Sequence, residues 1–385
     1  MTPHAHESGR RWLGTAPADR GLDVKGAVGA LRRFIRTVMI IHPSRPRTRW
    51  PVGSALLLVA LVSAAAPRTA AATRYAGEFL RIGVGARALG MGSAFAGLAD
   101  DGTAAFWNPA GLATLPSRQL SAMHAEQFGS IVQYDYLSYA MPLGAPGAPR
   151  QGLAVSLLRL GVNDIPDTRG LEILDQNGNG VFDYPEDRLL VDESRFVFDS
   201  DNDVALLLGY AREWRPGMSF GGTFKIVRQW LGDSLRSNGF GLDLGALWVG
   251  TNGWSAGAVL RDASTTRILW NTGTGEFVAP SLRVGAAKST VFRNRRHVVT
   301  AALDVQVGFS DERLASQAHL GGMTFEFHPG LEYWLERKLA LRAGMDARNF
   351  SAGAGVRIRK FGLDYAYLDH ADLESSHRIS GSYSF

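Results

Sequence analysis

Ile379-Ser380-Gly381-Ser382-Tyr383-Ser384-Phe385 closes the chain, alternating apolar with small polar residues up to the terminal carboxylate. Alternation with period two puts one greasy and one wet face on an extended strand. Chain termini usually fray, whereas this pattern persists to the last residue. A strand ending on an aromatic is how an outer-membrane β-barrel closes; an edge strand of a soluble sheet carries the same pattern. The rest of the chain has to decide between them.

Period two dominates from about residue 118 onward. Phe240, Leu242, Leu244, Ala246 and Trp248 alternate with Gly241, Asp243 and Gly245, and Phe361, Leu363, Tyr365 and Tyr367 alternate with Gly362, Asp364 and Ala366. Ala301 to Val307 and Leu282 to Ala286 repeat the pattern with Asp304, Gln306 and Arg283 on the polar face. A soluble sandwich turns its apolar faces inward, whereas a membrane barrel turns them to lipid and keeps Gly and polar residues in the lumen. Alternation alone does not say which face is which. Such segments number about fourteen, from 119–126 to 376–385, and an even count of strands near 9–11 residues suits a bacterial single-chain barrel. Short connections at 143–151, 214–216, 250–253, 289–296, 336–338 and 359–360 are then periplasmic. The long ones at 162–202, 263–279 and 308–324 are external. Arg283, Arg357, Asp243, Asp304 and Asp364 are expected to line the lumen and pair there, because a lipid-facing Arg costs about 2–4 kcal/mol at the midplane.

The front end supports export. Arg45, Arg47 and Arg49 precede the apolar run Val52–Val62 and the small-residue exits Ala64–Ala66 and Ala70–Ala72, the three regions of a secretory signal peptide. Residues 1–38 fit none of those regions and Met39 makes a normal start. The expected organisation is therefore a leader over 1–72, with 1–38 a mis-extended start and 39–72 the signal peptide. The competing reading of 1–38 is a cytoplasmic extension. Residues 1–72 hold 11 of the 41 Lys and Arg but 3 of the 36 Asp and Glu, so the remainder carries a formal −3. The basic pI belongs to the leader, and a nucleic-acid partner loses its support. The absence of cysteine excludes disulfides, thiol catalysis and cysteine-based metal sites.

Residues 73–118 break the period. Gly77-Glu-Phe-Leu-Arg-Ile-Gly-Val-Gly-Ala-Arg-Ala-Leu-Gly-Met-Gly92 leads to Trp107-Asn108-Pro109-Ala110-Gly111, and this glycine density suits backbone packed against other backbone. The expected role is a hatch inside a barrel formed by 119–385. Those two motifs, with Asn163-Asp164-Ile165-Pro166, Gly239-Phe-Gly-Leu-Asp-Leu-Gly245, Leu260-Arg261-Asp262 and Leu363-Asp364-Tyr365, resemble the PorV/PorQ family of outer-membrane barrels over about 76–385. That family is similar to the FadL type of fatty-acid channel, whose hatch carries an Asn-Pro-Ala segment like Asn108-Pro109-Ala110. The resemblance implies a 14-stranded barrel without enzymatic activity. It also implies partnership with a protein secretion or surface-attachment system of type IX, or, as the alternative, a passive channel for hydrophobic small molecules. The partners it implies are outer-membrane lipid, the barrel-assembly machinery, and secretion proteins or hydrophobic ligands.

One loop carries metal chemistry. Asp175, Asn177, Asn179, Val181, Asp183 and Glu186 occupy positions 1, 3, 5, 7, 9 and 12 of a twelve-residue calcium loop, with Gly180 at the sixth. Hard oxygen donors at that spacing suit Ca²⁺, with affinity in the extracellular range of about 10⁻⁴–10⁻³ M. Without flanking helices the alternative is a metal-free Asx-turn loop. Asp199-Ser-Asp201-Asn-Asp203 lacks the glycine and the glutamate and reads as a solvated loop mouth. Gly83-Val-Gly85-Ala-Arg-Ala88 matches a dinucleotide pattern but has no βαβ unit around it. No nucleophile elbow, phosphate loop or His-Glu-x-x-His motif occurs.

Overall fold

Fourteen antiparallel strands form one closed wall. In chain order they are β1 Gln119–Gln127, β2 Val132–Leu143, β3 Gln151–Asp167, β4 Val197–Arg215 and β5 Met218–Leu231. Next come β6 Leu235–Val249, β7 Trp254–Arg261, β8 Ser281–Phe292, β9 His297–Gly308 and β10 Met323–Leu335. The last four are β11 Leu339–Asp346, β12 Asn349–Ile358, β13 Phe361–Leu368 and β14 Ser376–Ser384. The structure, a computed structural model, describes residues 77–144, 148, 150–167, 172–174, 188–190, 197–292, 296–309, 316–320, 322–370 and 375–385. Among them no helix is long and apolar enough to cross a membrane.

The terminal stretch makes the seam. β14 pairs with β13 on one side and with β1 on the other, where Tyr383 faces Leu120, Gly381 faces Ala122 and Ile379 faces His124. Closure leaves no edge of unpaired amides, which is what a sheet crossing lipid requires. The rim beside Phe385 carries tight turns such as Glu336–Lys338 and Arg359–Lys360, where Arg337 and Arg359 take positive φ of 55° and 54°. The opposite rim carries the connections around 168–196, 262–280 and 309–322.

The wall is apolar on the outside. Phe240, Leu244 and Trp248 are exposed on β6 while Asp243 is 5% exposed on its inner face. Phe361, Leu363 and Tyr365 point out from β13 while Asp364 points in. This is the arrangement of a barrel solvated by lipid rather than of a water-soluble sandwich.

Several boundaries differ from the sequence expectation. β8 runs to Phe292 inside the expected turn 289–296, and Ala318–Leu320 is a strand inside the expected loop 308–324. The larger departures lie in the other two long connections. β3 and β4 run on past 162 and 202, pairing out to Asp167 and Val197 across a register shift at Val162/Ile165 with Asp164 at φ 57°. The long connection is therefore 168–196. The extra turns mix Asn163, Asp164, Asp199 and Asn202 with Ile165 and Phe198 without regular alternation, so the period that marks a half-buried strand disappears although pairing continues. Within 262–280 the short strands Thr266–Trp270 and Gly275–Val278 also pair, and Arg267–Trp270 continue the wall along β6 above the end of β7.

Inside the wall lies the segment 77–117. It contains short 3₁₀ turns at Glu78–Leu80 and Pro109–Thr114 and two short helices, α1 Ala86–Gly90 and α2 Ala104–Trp107. Helix α1 packs on β11–β14, α2 on β3–β5, and the last turn on β2–β6. Its centre is Trp107, edge-on to Phe95 and Phe106 at 6.2 and 5.2 Å, with its indole N–H donated to the Val84 carbonyl at 2.8 Å. The inward glycines of the strands mark where this backbone touches the wall. A Cβ on Gly221 would stand 2.6 Å from the Pro109 carbonyl carbon, and Gly92 combines φ 63° with direct apposition to the Met345 backbone. Only a residue without Cβ fits such approaches.

Candidate functional site

The inner segment enters at the rim opposite the C-terminus and leaves at the rim beside it, because Gly77 lies against Val278 and Ile268 whereas Pro109 and Leu112 touch Gly221, Gly245 and Gly152. The Asn108-Pro109-Ala110-Gly111 motif is buried at that lower end. The Asn108 side-chain amide donates to the Ala96 and Ala246 carbonyls at 2.7 and 3.1 Å, and its oxygen accepts the Ala110 N–H at 3.1 Å. One side chain thus ties two parts of the inner segment to β6. Gly111 sits against the Ala99 carbonyl with no room for a Cβ.

A chain of buried charges crosses from the inner segment to the wall. Arg87 on α1 makes a bidentate pair with Glu332 of β10, both contacts at 3.0 Å, and reaches Asp100 and Asp101 at 2.5 and 3.2 Å. Glu332 also accepts from Arg342 Nε at 2.8 Å. Arg342 Nη1 lies 2.9 Å from Asp364, close by charge though off a hydrogen-bond line, and Asp364 accepts from Arg357 at 2.8 Å. A second group joins Lys225 to Asp243 at 2.7 Å and to Asp262.

Of the lumenal residues expected from sequence, Asp364 pairs with Arg357 and Asp243 with Lys225. Arg283 and Asp304 do not pair with each other. Arg283 donates to Gln306 and to the Ser93 carbonyl at 2.9 Å, while Asp304 accepts the Phe95 and Ala96 N–H groups at 2.9 and 2.8 Å. Both therefore bind the inner segment, and they take backbone rather than opposite charge as partner. Arg87 and Glu332 were not singled out from sequence; they stand 245 positions apart and meet only through barrel closure.

Above the inner segment, at the rim opposite the C-terminus, a cavity of ≈ 500 Å³ opens. Leu80, Phe106, Leu207 and Val278 give it an apolar side, and the other side carries both signs of charge, with Arg261 and Arg283 beside Glu78, Asp243, Asp262, Glu326 and Asp346. Arg261 stands over the Phe106 and Trp107 rings at 5.0 and 5.5 Å. Its Nη2 reaches the Phe106 carbonyl at 3.5 Å and its buried Nε has no acceptor. Among the described residues no carboxylate pairs with it, since Asp243 and Asp262 converge on Lys225. The cavity thus combines an apolar side with a mixed-charge side on which Arg261 Nε lacks an acceptor.

The loop residues Asp175, Asn177, Asn179, Val181, Asp183 and Glu186 lie outside the described residues. On either side of them Glu172–Leu174 and Arg188–Leu190 pair antiparallel, with Leu174 opposite Arg188. Among the described residues no three His, Asp or Glu side chains form a group that could hold a metal ion.

A closed, outwardly apolar wall with a packed inner segment defines a membrane-spanning barrel of the outer-membrane type. The model of an uncharacterised protein family (UPF0164) matches residues 57–152, about a quarter of the chain. No curated protein matches. Among solved structures, the toluene transporter TbuX of Ralstonia pickettii is similar with TM-score 0.51 and 13% identity, over 79% of this chain and 98% of that one. The CymD monoaromatic hydrocarbon channel is similar with TM-score 0.50 and 13% identity, over 79% and 98%. A Pseudomonas aeruginosa FadL homologue has TM-score 0.46 and 12% identity, over 77% and 97%. At these identities the likeness is one of fold.

Proposed function

We propose that the protein is a passive outer-membrane channel for small molecules with an apolar body and a hydrogen-bond-accepting or anionic head, and that it performs no covalent chemistry. The observation that carries this reading is the cavity above the inner segment, where Leu80, Phe106, Leu207 and Val278 face Arg261, whose Nε lacks an acceptor. A buried N–H without an acceptor, such as Arg261 Nε, is costly, and a ligand head placed there would satisfy it while the body covers the apolar side. That the solved barrels of similar fold bear the names of a toluene transporter and a monoaromatic hydrocarbon channel supports this direction. In this reading the inner segment is the hatch, and passage requires it to shift.

The test is uptake into vesicles carrying the purified barrel. A fluorescent fatty acid should enter faster than into empty vesicles, and a sugar of similar mass should not. Arg261→Gln should weaken binding of the fatty acid about tenfold, the worth of one hydrogen bond to a charged group. Equal entry of the sugar, or no acceleration at all, sinks the channel reading. The secretion-component reading draws on the Arg87–Glu332–Arg342–Asp364–Arg357 chain, which fastens the hatch rather than freeing it. It expects no uptake, together with proteins co-purifying from solubilised outer membrane.

A further inference from the structure

The outer face of the wall changes character at the seam. On β10 the outward positions Phe325, Phe327, Pro329, Leu331, Tyr333 and Leu335 carry no charge. At about 3.3 Å per residue that apolar run extends some 33 Å along the strand. On β1 only Leu120 and Ala122 precede His124 and Glu126 on the outward face, leaving about 13 Å from Leu120 to His124. Bilayer thickness does not follow such a step without thinning or drawing polar groups inward.

Cross-strand register turns this into a defined place. One outward row reads Gly381–Ala122–Leu137–Leu157 across β14, β1, β2 and β3. The next row toward the opposite rim reads Ile379–His124–Asp135–Arg159. Two small residues side by side leave a dent, and a cavity of ≈ 460 Å³ lies over these rows. A Cβ on Gly381 would meet nothing within 4 Å. Along the top of the dent His124 Nδ1 lies 2.7 Å from Asp135, and Arg159 reaches Asp135 at 3.4 Å and Asn202 at 2.8 Å. Arg159 and Asp135, though paired with each other, each keep 39% of the side chain exposed.

We infer that this seam binds one phosphoethanolamine-headed lipid, its acyl chain in the Gly381–Ala122 dent and its headgroup against Arg159, Asp135 and Glu126. The charge pattern selects the head. A purely anionic head would meet Asp135 and Glu126, and a purely cationic one would meet Arg159. A zwitterion sets its phosphate on Arg159 and its ammonium on the carboxylates. Shape excludes a second copy of the chain docking through the same face, because a two-fold contact would set one dent against the other. The charged row then has polar company within a span that the opposite wall keeps apolar. The inference does not depend on the channel reading.

Native mass spectrometry of the full-length barrel, released from vesicles of equal phosphatidylethanolamine and phosphatidylglycerol, tests it. The wild type should carry a single phosphatidylethanolamine in about tenfold excess over phosphatidylglycerol. Arg159→Gln should erase that preference. Gly381→Leu, which fills the dent, should lose both lipids, while heat-dependent gel migration reports that each variant has closed its barrel. Equal retention of both lipids by the wild type, an unchanged adduct in Gly381→Leu, or a dimer in place of the adduct overturns the inference.

Discussion

The inner segment is held by two kinds of chemistry on the two sides of the lumen. Along β2–β5 the wall offers neutral hydroxyls to backbone carbonyls: Tyr134 to Phe79, Ser138 to Gly102, Ser219 to Ala110 and Thr223 to Ala105, all between 2.7 and 2.9 Å. Along β8–β13 it offers charge, through Arg283, Asp304 and Glu332, the last of which holds Arg87 of the inner segment and is braced by Arg342. Hydroxyls act singly, each worth about 1 kcal/mol. Buried charges act as a set, because removing one leaves its partners without compensation. The charged side is therefore where a single substitution should release the most.

Glu332 is the sharpest place to break this contrast. It is 1% exposed and shared by Arg87 and Arg342. Glu332→Ala removes the carboxylate that two guanidinium groups share, leaving Arg87 only Asp100 and Asp101 and Arg342 only Asp364, at a cost of about 3 kcal/mol. The expected outcome is a large drop in the urea midpoint in micelles and early proteolysis near residues 77–90. An unchanged midpoint would mean that the charged chain contributes nothing to holding α1.

Gly111→Val tests whether steric fit on the neutral side rivals charge on the other. A Cβ at Gly111 has no room beside the Ala99 carbonyl, and overpacking in a filled core costs about 1–3 kcal/mol. The same unfolding measurement should fall below wild type by less than for Glu332→Ala. If it falls further, packing rather than charge dominates the hold on the segment.

The contrast also shows what the sequence could carry. Period two made fourteen strands and the seam legible, since a half-buried strand must alternate wherever lipid and lumen lie on its two faces. Where β3 and β4 leave that environment at Asn163–Asp167 and Phe198–Asn202, polar residues prevail without regular alternation and the signal ends before the strand does. Which face of Phe240–Trp248 looks outward was not legible, because alternation is symmetric about the sheet. Lumenal charges could be named from Asp243, Asp364 and Arg283, but not their partners. The Arg87–Glu332 pair depends on how a segment near the N-terminus threads a barrel closed by residue 384. The unmatched state of Arg261 is less legible still, since it depends on Lys225 occupying both nearby carboxylates.

The smallest effect isolates one hydroxyl. In α2 the Ala105 carbonyl would find its helical donor four residues on, at Pro109, which has no N–H. Thr223, fully buried on β5, fills that role by donating Oγ1 to Ala105 at 2.7 Å. Thr223→Val keeps the shape and removes the donor, so the carbonyl is orphaned without a cavity being made. The expected loss is about 1 kcal/mol, insensitive to salt because neither partner is charged. Thr223→Ser keeps the donor and should recover most of the loss. Should Thr223→Val instead match Glu332→Ala in size, the neutral side would be no more tolerant than the charged one, and the division between them would fail.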